Sequence, residues 1–470
     1  MSRRRTRRNK LPSEPVELDI TSLSHEGRGI AHIEGKVAFV DGALAGEKLS
    51  AAYVRRRGKF DELRAVELLS RADDRIDPVC QLAGKCGGCS LQHMNPDAQI
   101  EFKQSVLLEQ LQRSAGLQAG SFELLPLLKD AQYHYRRKAR LAVRMVTKKG
   151  GALVGFREKY SNFITEMDDC KVLVEEVACL IKPLRDLISK LGGALLIPQI
   201  EVAVGEQSVG DQSNAAEGEI AIAGKLQVAL IFRHLKALNE DDLKSLRGFA
   251  EEHSIEIYLQ PGGMDTVHKI YPIEGEERLY YHLPEFDLRF SFHPTDFTQI
   301  NAGINRKIIS KALSLLDLNK DDVVLDLFCG LGNFTLPLAS RCKQVIGVEG
   351  SEEMVKRGSE NAALNNLKNV SFYAADLFQS IEDKLWSSEN FTKIVLDPPR
   401  SGAIEIIHQI AKLGAEKIVY ISCNPATLAR DTAEFIKTGY TLKSAGVMDM
   451  FPHTSHVESM AEFVKDKKSK

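Results

Sequence analysis

Four of the eight cysteines in this 470-residue chain are spaced as ligands are. Cys80, Cys86 and Cys89 form C-x5-C-x2-C, and Cys170 in EMDDCKV lies far downstream. Four thiolates that converge hold either zinc or an iron–sulfur cluster, and spacing alone leaves both open. Gly87 and Gly88, between the close pair, suit a backbone that wraps a compact group. A structural disulfide is the poorer reading for a cytosolic chain. A fifth thiol, Cys423 in ISCNPATLARD (421–431), is either a nucleophile or a small buried hydrophobe. Cys179, Cys329 and Cys342 are read as core or loop thiols. The second constellation is VVLDLFCGLGNFTLPLA (323–339), a strand, a glycine loop and the start of a helix. Gly330 and Gly332 let the backbone bend sharply and approach a ligand closely. Glu349 follows at the end of the next strand, about twenty residues on, where an acid can bond the two hydroxyls of a ribose. A dinucleotide site would need a third glycine, but Asn333 and Phe334 follow Gly332.

The elements that must position these residues are legible as well. From about residue 320 strands alternate with helices: VVLDL (323–327), VIGVE (345–349), VSFYA (370–374), KIVLD (393–397) and KIVYI (417–421). That pattern predicts a parallel sheet with crossover helices. Residues 11–70 read as several short strands with glycines at their turns, hence a small β-barrel. NPDAQIEFKQSVLLEQLQRSAG has helical spacing and ends at Gly116. Residues 131–290 look mainly strand-like with a few helices, which implies a central α+β domain. We therefore expect a basic tail (1–10), a barrel (11–70), a central domain (71–290) and a C-terminal α/β domain (291–470).

The glycine loop with its following acid resembles the class I, Rossmann-like methyltransferases that bind S-adenosylmethionine. On that resemblance Asp376, after the third strand, would face the adenine, and Asp397, after the fourth, would sit near the reacting methyl. For either acid alone, a surface or helix-capping role is the plain alternative. DPPRSG (397–402), ISCNPATLARD and DMFPHTSHVESM (449–460) together resemble the RNA uracil-5-methyltransferase family across the whole C-terminal half. The resemblance makes Cys423 the nucleophile, Glu458 the base, and Gln299, Phe328, Asn333 and Glu349 cofactor-contacting residues. The chemistry asks for such residue types. Carbon 5 of uracil is a poor nucleophile until a thiolate adds at carbon 6. A carboxylate must later remove the carbon 5 proton before the enzyme can be expelled. His453 and His456 are the next candidates for that base. The RNA cytosine-5-methyltransferases carry a cysteine directly after the second proline of a similar motif, where this chain has Arg400, and that departure favours uracil.

Within the family, the subgroup with this cysteine pattern carries a [4Fe–4S] cluster, so the resemblance favours iron for Cys80, Cys86, Cys89 and Cys170. The N-terminal strands resemble a TRAM domain, an OB-like RNA-binding module. The combination resembles enzymes acting on 23S ribosomal RNA, on a protein-poor or unfolded segment. A tRNA substrate, or an assembly factor without catalysis, are the alternatives; a small-molecule substrate would leave barrel and basic stretches unexplained. Net charge is only −2, but residues 1–60 carry thirteen Lys and Arg against seven acids, and 131–149 carry seven basic residues and no acid. Both are candidate phosphate-contacting surfaces. As a strand, YHYRRKARLAV puts Arg136, Lys138, Arg140 and Arg144 on one face and Leu141, Val143 and Met145 on the other, with Tyr133 and Tyr135 available to stack on bases. Hydrophobic residues are 43% and charged residues 27% of the chain, no apolar run would span a bilayer, and no apolar segment follows the basic start. A soluble, cytoplasmic monomer is expected.

Overall fold

The computed structural model describes residues 11–207, 225–381 and 384–466, so the basic tail (Arg3, Arg4, Arg5, Arg7, Arg8 and Lys10) lies outside the described residues. Contacts divide the chain into two compact units. One holds the residues up to Phe102 with Phe156–Thr165 and Phe451–His456; the other holds Lys103–Gly155, Glu166–Met450 and the residues from Val457 on.

In the first unit, β1 (Val16–Asp19), β2 (Ser22–Leu23), β3 (Gly29–Ile33), β4 (Lys36–Asp41), β5 (Lys48–Arg56) and β6 (Phe60–Leu68) form one sheet in the order β1-β5-β6-β4-β3-β2. It curls into a half-barrel whose ladder stays open, with β1 and β2 at its edges. Alternating side chains, among them Leu18, Ala38, Val40, Leu49 and Leu63, fill the concave core. After the cysteine loop a helix runs Pro96–Ala115. Asn95 caps it by accepting the Asp97 N–H at 2.9 Å, Pro96 occupies its first turn, and Gly116 ends it with φ of 70°.

The second unit contains two large sheets. Its strands begin with β7 (Glu123–Leu124), β8 (Lys138–Val146), β9 (Gly151–Gly155), β10 (Gln199–Glu206), β11 (Leu226–Arg233), β12 (Glu256–Gln260) and β13 (His268–Tyr271). All of these except β7 make a mixed sheet ordered β13-β12-β11-β10-β8-β9, which is the α+β region expected at 131–290. A hairpin, β14 (Leu279–Leu283) with β15 (Leu288–Phe292), follows.

The alternating region supplies β16 (Val323–Leu327), β17 (Gln344–Glu349), β18 (Val370–Ala374), β19 (Lys393–Leu396) and β20 (Lys417–Ser422), then β21 (Tyr440–Met448) and β22 (Glu458–Lys465). The sheet order is β18-β17-β16-β19-β20-β22-β21-β7. β16 to β20 are parallel and the apolar positions of the central strands are buried, as helices on both faces require. The order reverses between β16 and β19, and ligands bind such sheets beyond the carboxyl ends of the strands at that point. β22 runs antiparallel between β20 and β21. Residues 123–128 complete the far edge: the Leu125 N–H reaches the Ala445 carbonyl at 2.9 Å, and a Cβ on Gly446 would lie 2.6 Å from that of Leu125.

Candidate active site

The loop after β16 turns through three residues of positive φ, Phe328 (64°), Gly330 (57°) and Gly332 (97°). At Gly332 a Cβ would also meet Leu336 at 2.6 Å, so that position has no room for a side chain. Glu349, at the end of β17, accepts the Gly330 N–H at 3.1 Å and the Gly350 N–H at 2.7 Å, which fixes its carboxylate at the cleft. Under the loop, Thr335 donates to the buried Asp326 at 2.5 Å. Burial, with the charges of Asp397 and Glu349, pushes Asp326 up to about 8, which favours the protonated acid at pH 7. Asn333 is held through two bonds with Asn305, at 3.0 and 2.9 Å, and accepts the Tyr281 hydroxyl at 3.0 Å. Gln299 lines a cavity of about 20 Å³ with Tyr281 and Asn305. Asp376 is exposed after β18 and accepts the Phe378 N–H at 3.0 Å. The Phe378 ring stands 6.0 Å from that of Phe328. Phe378 gave no signal in the sequence beyond being aromatic.

Three acidic groups meet at neighbouring strand ends. The register pairs Leu396 with Tyr420 and Ser422 with Ser459, which brings Asp397 just after β19, Cys423 just after β20 and Glu458, the first residue of β22, to one end of the sheet. Burial raises the Cys423 thiol to about 11, and the charges of Glu458 and Asp397 push in the same direction. Burial and Asp397 raise Glu458 to about 8, against the attraction of Arg400 and Lys103, and burial raises Asp397 to about 7. The site is thus a low-dielectric cluster whose members resist ionising together. Its frame is rigid. Asn424 caps the helix Pro425–Lys437 and reaches the Arg400 carbonyl at 3.1 Å. Asp431, inside that helix, accepts the Ala403 N–H and the Tyr420 hydroxyl, each at 2.7 Å, tying the DPPRSG loop to β20. Lys103 and Asp449, both fully buried, pair at 2.6 Å; they lie too far apart in sequence for any motif to join them. His453 is engaged elsewhere, with its N–H on the Gln99 side-chain oxygen at 2.8 Å and its Nδ1 3.2 Å from the Gln99 amide.

Cys80, Cys86 and Cys89 lie on one loop of the first unit. Gln92 accepts the Cys80 N–H at 3.2 Å and donates to the Cys89 sulfur at 3.2 Å, while the Gly88 N–H points at the Cys86 sulfur at 3.4 Å. A Cβ on Gly87 would lie 2.9 Å from the Arg157 carbonyl, which explains that glycine. Cys170 belongs to the second unit and is buried. Among the described residues no three potential ligands are gathered as a metal site.

The basic stripe is smaller than the sequence suggests. Alternation holds along β8, with Leu141 and Val143 buried and Arg140 and Arg144 exposed. An acid interrupts the stripe from the neighbouring strand, however: Glu201 sits opposite Arg140 and bonds it at 2.9 Å. Lys138 donates inward to the Asp296 carbonyl, and burial lowers its amine to about 8. Tyr135 is buried and cannot stack on a base. Arg137 joins Arg306 and His282 around Glu206; burial alone would raise that carboxyl, but these three hold it down at about 2. In the N-terminal basic stretch acids interrupt as well, with Lys36 on Asp61 at 2.6 Å and Arg55 3.7 Å from Glu62. Lys36, Arg55, Arg56 and Arg57 line a cleft of about 710 Å³ on the first unit.

These features agree with comparison to known proteins. Residues 220–465 match the family model described as tRNA (uracil-5-)-methyltransferase, and residues 12–51 match the TRAM domain. The 23S rRNA (uracil(1939)-C(5))-methyltransferase RlmD of Alcanivorax borkumensis is 49% identical, over 98% of this chain and 99% of the relative. The protein of the same name from Alkalilimnicola ehrlichii is 50% identical over the same shares. In fold, the chain resembles the Pyrococcus abyssi tRNA (uracil-54, C5)-methyltransferase solved with S-adenosyl-L-homocysteine, with a TM-score of 0.69 and 23% identity over 96% of this chain and 100% of that one. The chain belongs to the RNA uracil-5-methyltransferase family, enzymes that take their methyl group from S-adenosylmethionine.

Proposed function

We propose that this enzyme methylates carbon 5 of one uridine in 23S ribosomal RNA, with Cys423 as nucleophile and Glu458 as base. The observation that supports this reading is the β20–β22 register, which brings a thiol and a carboxylate to neighbouring positions at the carboxyl end of β20. Cys423 adds to carbon 6, so the electrons of the ring double bond become available at carbon 5. S-adenosylmethionine supplies the electrophilic methyl that carbon 5 takes. Glu458 then accepts the carbon 5 proton, the double bond re-forms, and Cys423 leaves as the thiolate. Glu349 is suited to hold the donor's ribose, Phe328 and Phe378 to flank its base, Asp376 to face the adenine, and Asp397 to stand by the methyl. Gln299 and Asn333, the latter anchored by Asn305, would border the same cleft. The level of relationship to 23S enzymes favours ribosomal RNA in the cytoplasm over tRNA. Sequencing RNA from cells with and without the gene tests this: 5-methyluridine should vanish at one 23S position, and loss from tRNA alone would overturn the substrate.

Cys80, Cys86, Cys89 and Cys170 would hold a [4Fe–4S] cluster. The donors are soft thiols, and N–H groups already point at the sulfurs of Cys86 and Cys89, an environment that suits cluster sulfur. Methyl transfer from a sulfonium balances without electrons, so the proposed reaction draws none from the cluster. Protein purified without oxygen should contain about four irons per chain. Stoichiometric zinc would reverse this assignment. The boundaries at residues 10, 70 and 290 stay our proposal for the domains.

A further inference from the structure

We propose that a cavity of the N-terminal unit is a second nucleotide site, which takes one unpaired base of the RNA substrate other than the uridine methylated. The proposal rests on the RNA-methyltransferase reading above. The cavity measures about 270 Å³, far more than a single water needs, and opens between the outer end of β6, the segment Arg75–Pro78 and the cysteine loop. His93 lines it. That residue is 8% exposed, and its Nε2 finds no hydrogen-bond partner among the described residues. A buried polar atom of this kind calls for a ligand, because leaving it bare is costly.

The chemistry of the walls selects the ligand. Every cation in the interior is already committed: Arg75 bonds Glu47 at 2.7 Å and the Gly42 carbonyl at 2.7 Å, and Lys159 bonds Asp41 at 3.2 Å. At the rim Asp77 pairs with Arg71 at 3.1 Å and Glu67 adds a negative charge, so a phosphate would gain nothing by entering. Val66, Leu68, Ile76 and Pro78 supply apolar surface. Burial, reinforced by the charges of Arg75 and Lys159, lowers the His93 imidazole to about 3 and keeps it neutral. The interior therefore offers apolar walls and one uncharged hydrogen-bonding nitrogen, which fits a flat heterocycle with polar edges. Unpaired RNA bases are recognised in this way, splayed from the strand and bonded along an edge. Arg64 stands at the mouth, exposed and without an ion pair among the described residues, where its guanidinium can meet the flanking phosphate or stack on the base. Ala83, Gly84 and Gln92 form one wall, which would make the cysteine loop part of the RNA-reading surface.

The test uses the full-length protein loaded with its metal and a fluorescent fragment of the 23S region around the methylated uridine. Anisotropy gives Kd, and methylation kinetics separate KM from kcat. His93→Ala should weaken RNA binding about tenfold, and Arg64→Ala, at an exposed position that does not endanger the fold, several-fold, with both losses carried by KM. The same RNA is then made with single abasic sites. One position, not the target uridine, should weaken wild-type binding about tenfold and have no further effect in His93→Ala. Wild-type Kd in both variants, or abasic losses that add to His93→Ala at every position, would overturn the proposal and leave the cavity to a ligand other than RNA. If wild type binds the RNA but methylates no uridine in it, the assigned activity fails, while the anisotropy arm still decides the cavity.

Discussion

Replacing Glu458 by Gln should stop the reaction after the methyl has moved and before the enzyme leaves the RNA. Glu458 sits at about 8 because of burial and the nearby Asp397, so at pH 7 about one tenth of it is ionised. Wild-type proton removal should accordingly quicken as pH rises from 7, and level off above about 8 as the carboxylate becomes fully ionised. Glutamine keeps the size and much of the hydrogen bonding but has no basicity. Loss of a general base costs about 10² to 10⁴ in rate, or ~3–5 kcal/mol of barrier. The earlier steps should not slow. Glu458 is one of two carboxylates that oppose the Cys423 thiolate, and only about a tenth of it is charged at pH 7, so its replacement leaves cysteine addition unhindered. With entry preserved and exit blocked, covalent protein–RNA adduct should accumulate. Incubation with S-adenosylmethionine labelled in its methyl group, followed by a denaturing gel, reads this as a labelled band of retarded protein. Turnover within tenfold of wild type and no adduct would refute the assignment. An adduct without label would place Glu458 before methyl transfer instead.

Cys423→Ala should abolish turnover while S-adenosylhomocysteine binding by calorimetry stays within about twofold, because the thiol acts on the base; measurable methyl transfer would sink the nucleophile. Asp326→Asn should remove a pH dependence of stability. With a folded value near 8 and an unfolded one near 4, the native acid holds a proton that the unfolded chain has lost, so wild-type stability falls across that window by up to ~1.4 kcal/mol per pH unit. Denaturant melts at pH 5 and 8 should show the variant gaining on wild type as pH rises, and parallel behaviour would refute the burial argument. Lys103→Met should destabilise by about 3–5 kcal/mol because it strands the buried Asp449 carboxylate, and adding Asp449→Leu should restore much of the loss in the same melts.

The sequence was most informative where burial is two-sided. β16 to β20 read as apolar runs because helices cover both faces, and their bounds fall within a residue of those expected. β21 and β22 were not read as strands. They place Ser444 against Glu462 at 2.9 Å, together with Ser459, inside the sheet, and polar residues at inward positions erase the alternation that marks a strand. The two-residue β7 is too short to carry any pattern. Cys423 and Glu458 were legible through their motifs, but their adjacency is a matter of register, which no local spacing encodes. The basic stripe misled for the same reason. Periodicity gave the exposed Arg140 and Arg144 of β8 but not the inward Lys138, and whether Arg140 is available depends on Glu201 from β10. Asp326 reads as one more strand residue until Thr335 is seen to meet it.

The raised thiol at Cys423 bears on how the site protects itself. A thiolate is among the better acceptors of a sulfonium methyl, and this one would rest beside the donor through every cycle. Burial and two carboxylates hold the thiol at about 11, which at pH 7 leaves on the order of one molecule in 10⁴ as thiolate. A smaller thiolate fraction slows self-methylation, though by less than that factor, because a thiolate of higher pKa is also the stronger nucleophile. The cost is a slow nucleophile, unless the substrate changes the balance on entering. A uracil ring stacked against the thiol and bonded along its polar edge gains negative charge on its oxygens as sulfur adds, and the groups that receive that charge favour addition only when the ring is present. In the proposed cycle burial is what chiefly keeps the idle thiol protonated, the ionised fraction of Glu458 and Asp397 adds to it, and Glu458 then ends the reaction as the base, so the low dielectric that weakens each acid suits both tasks.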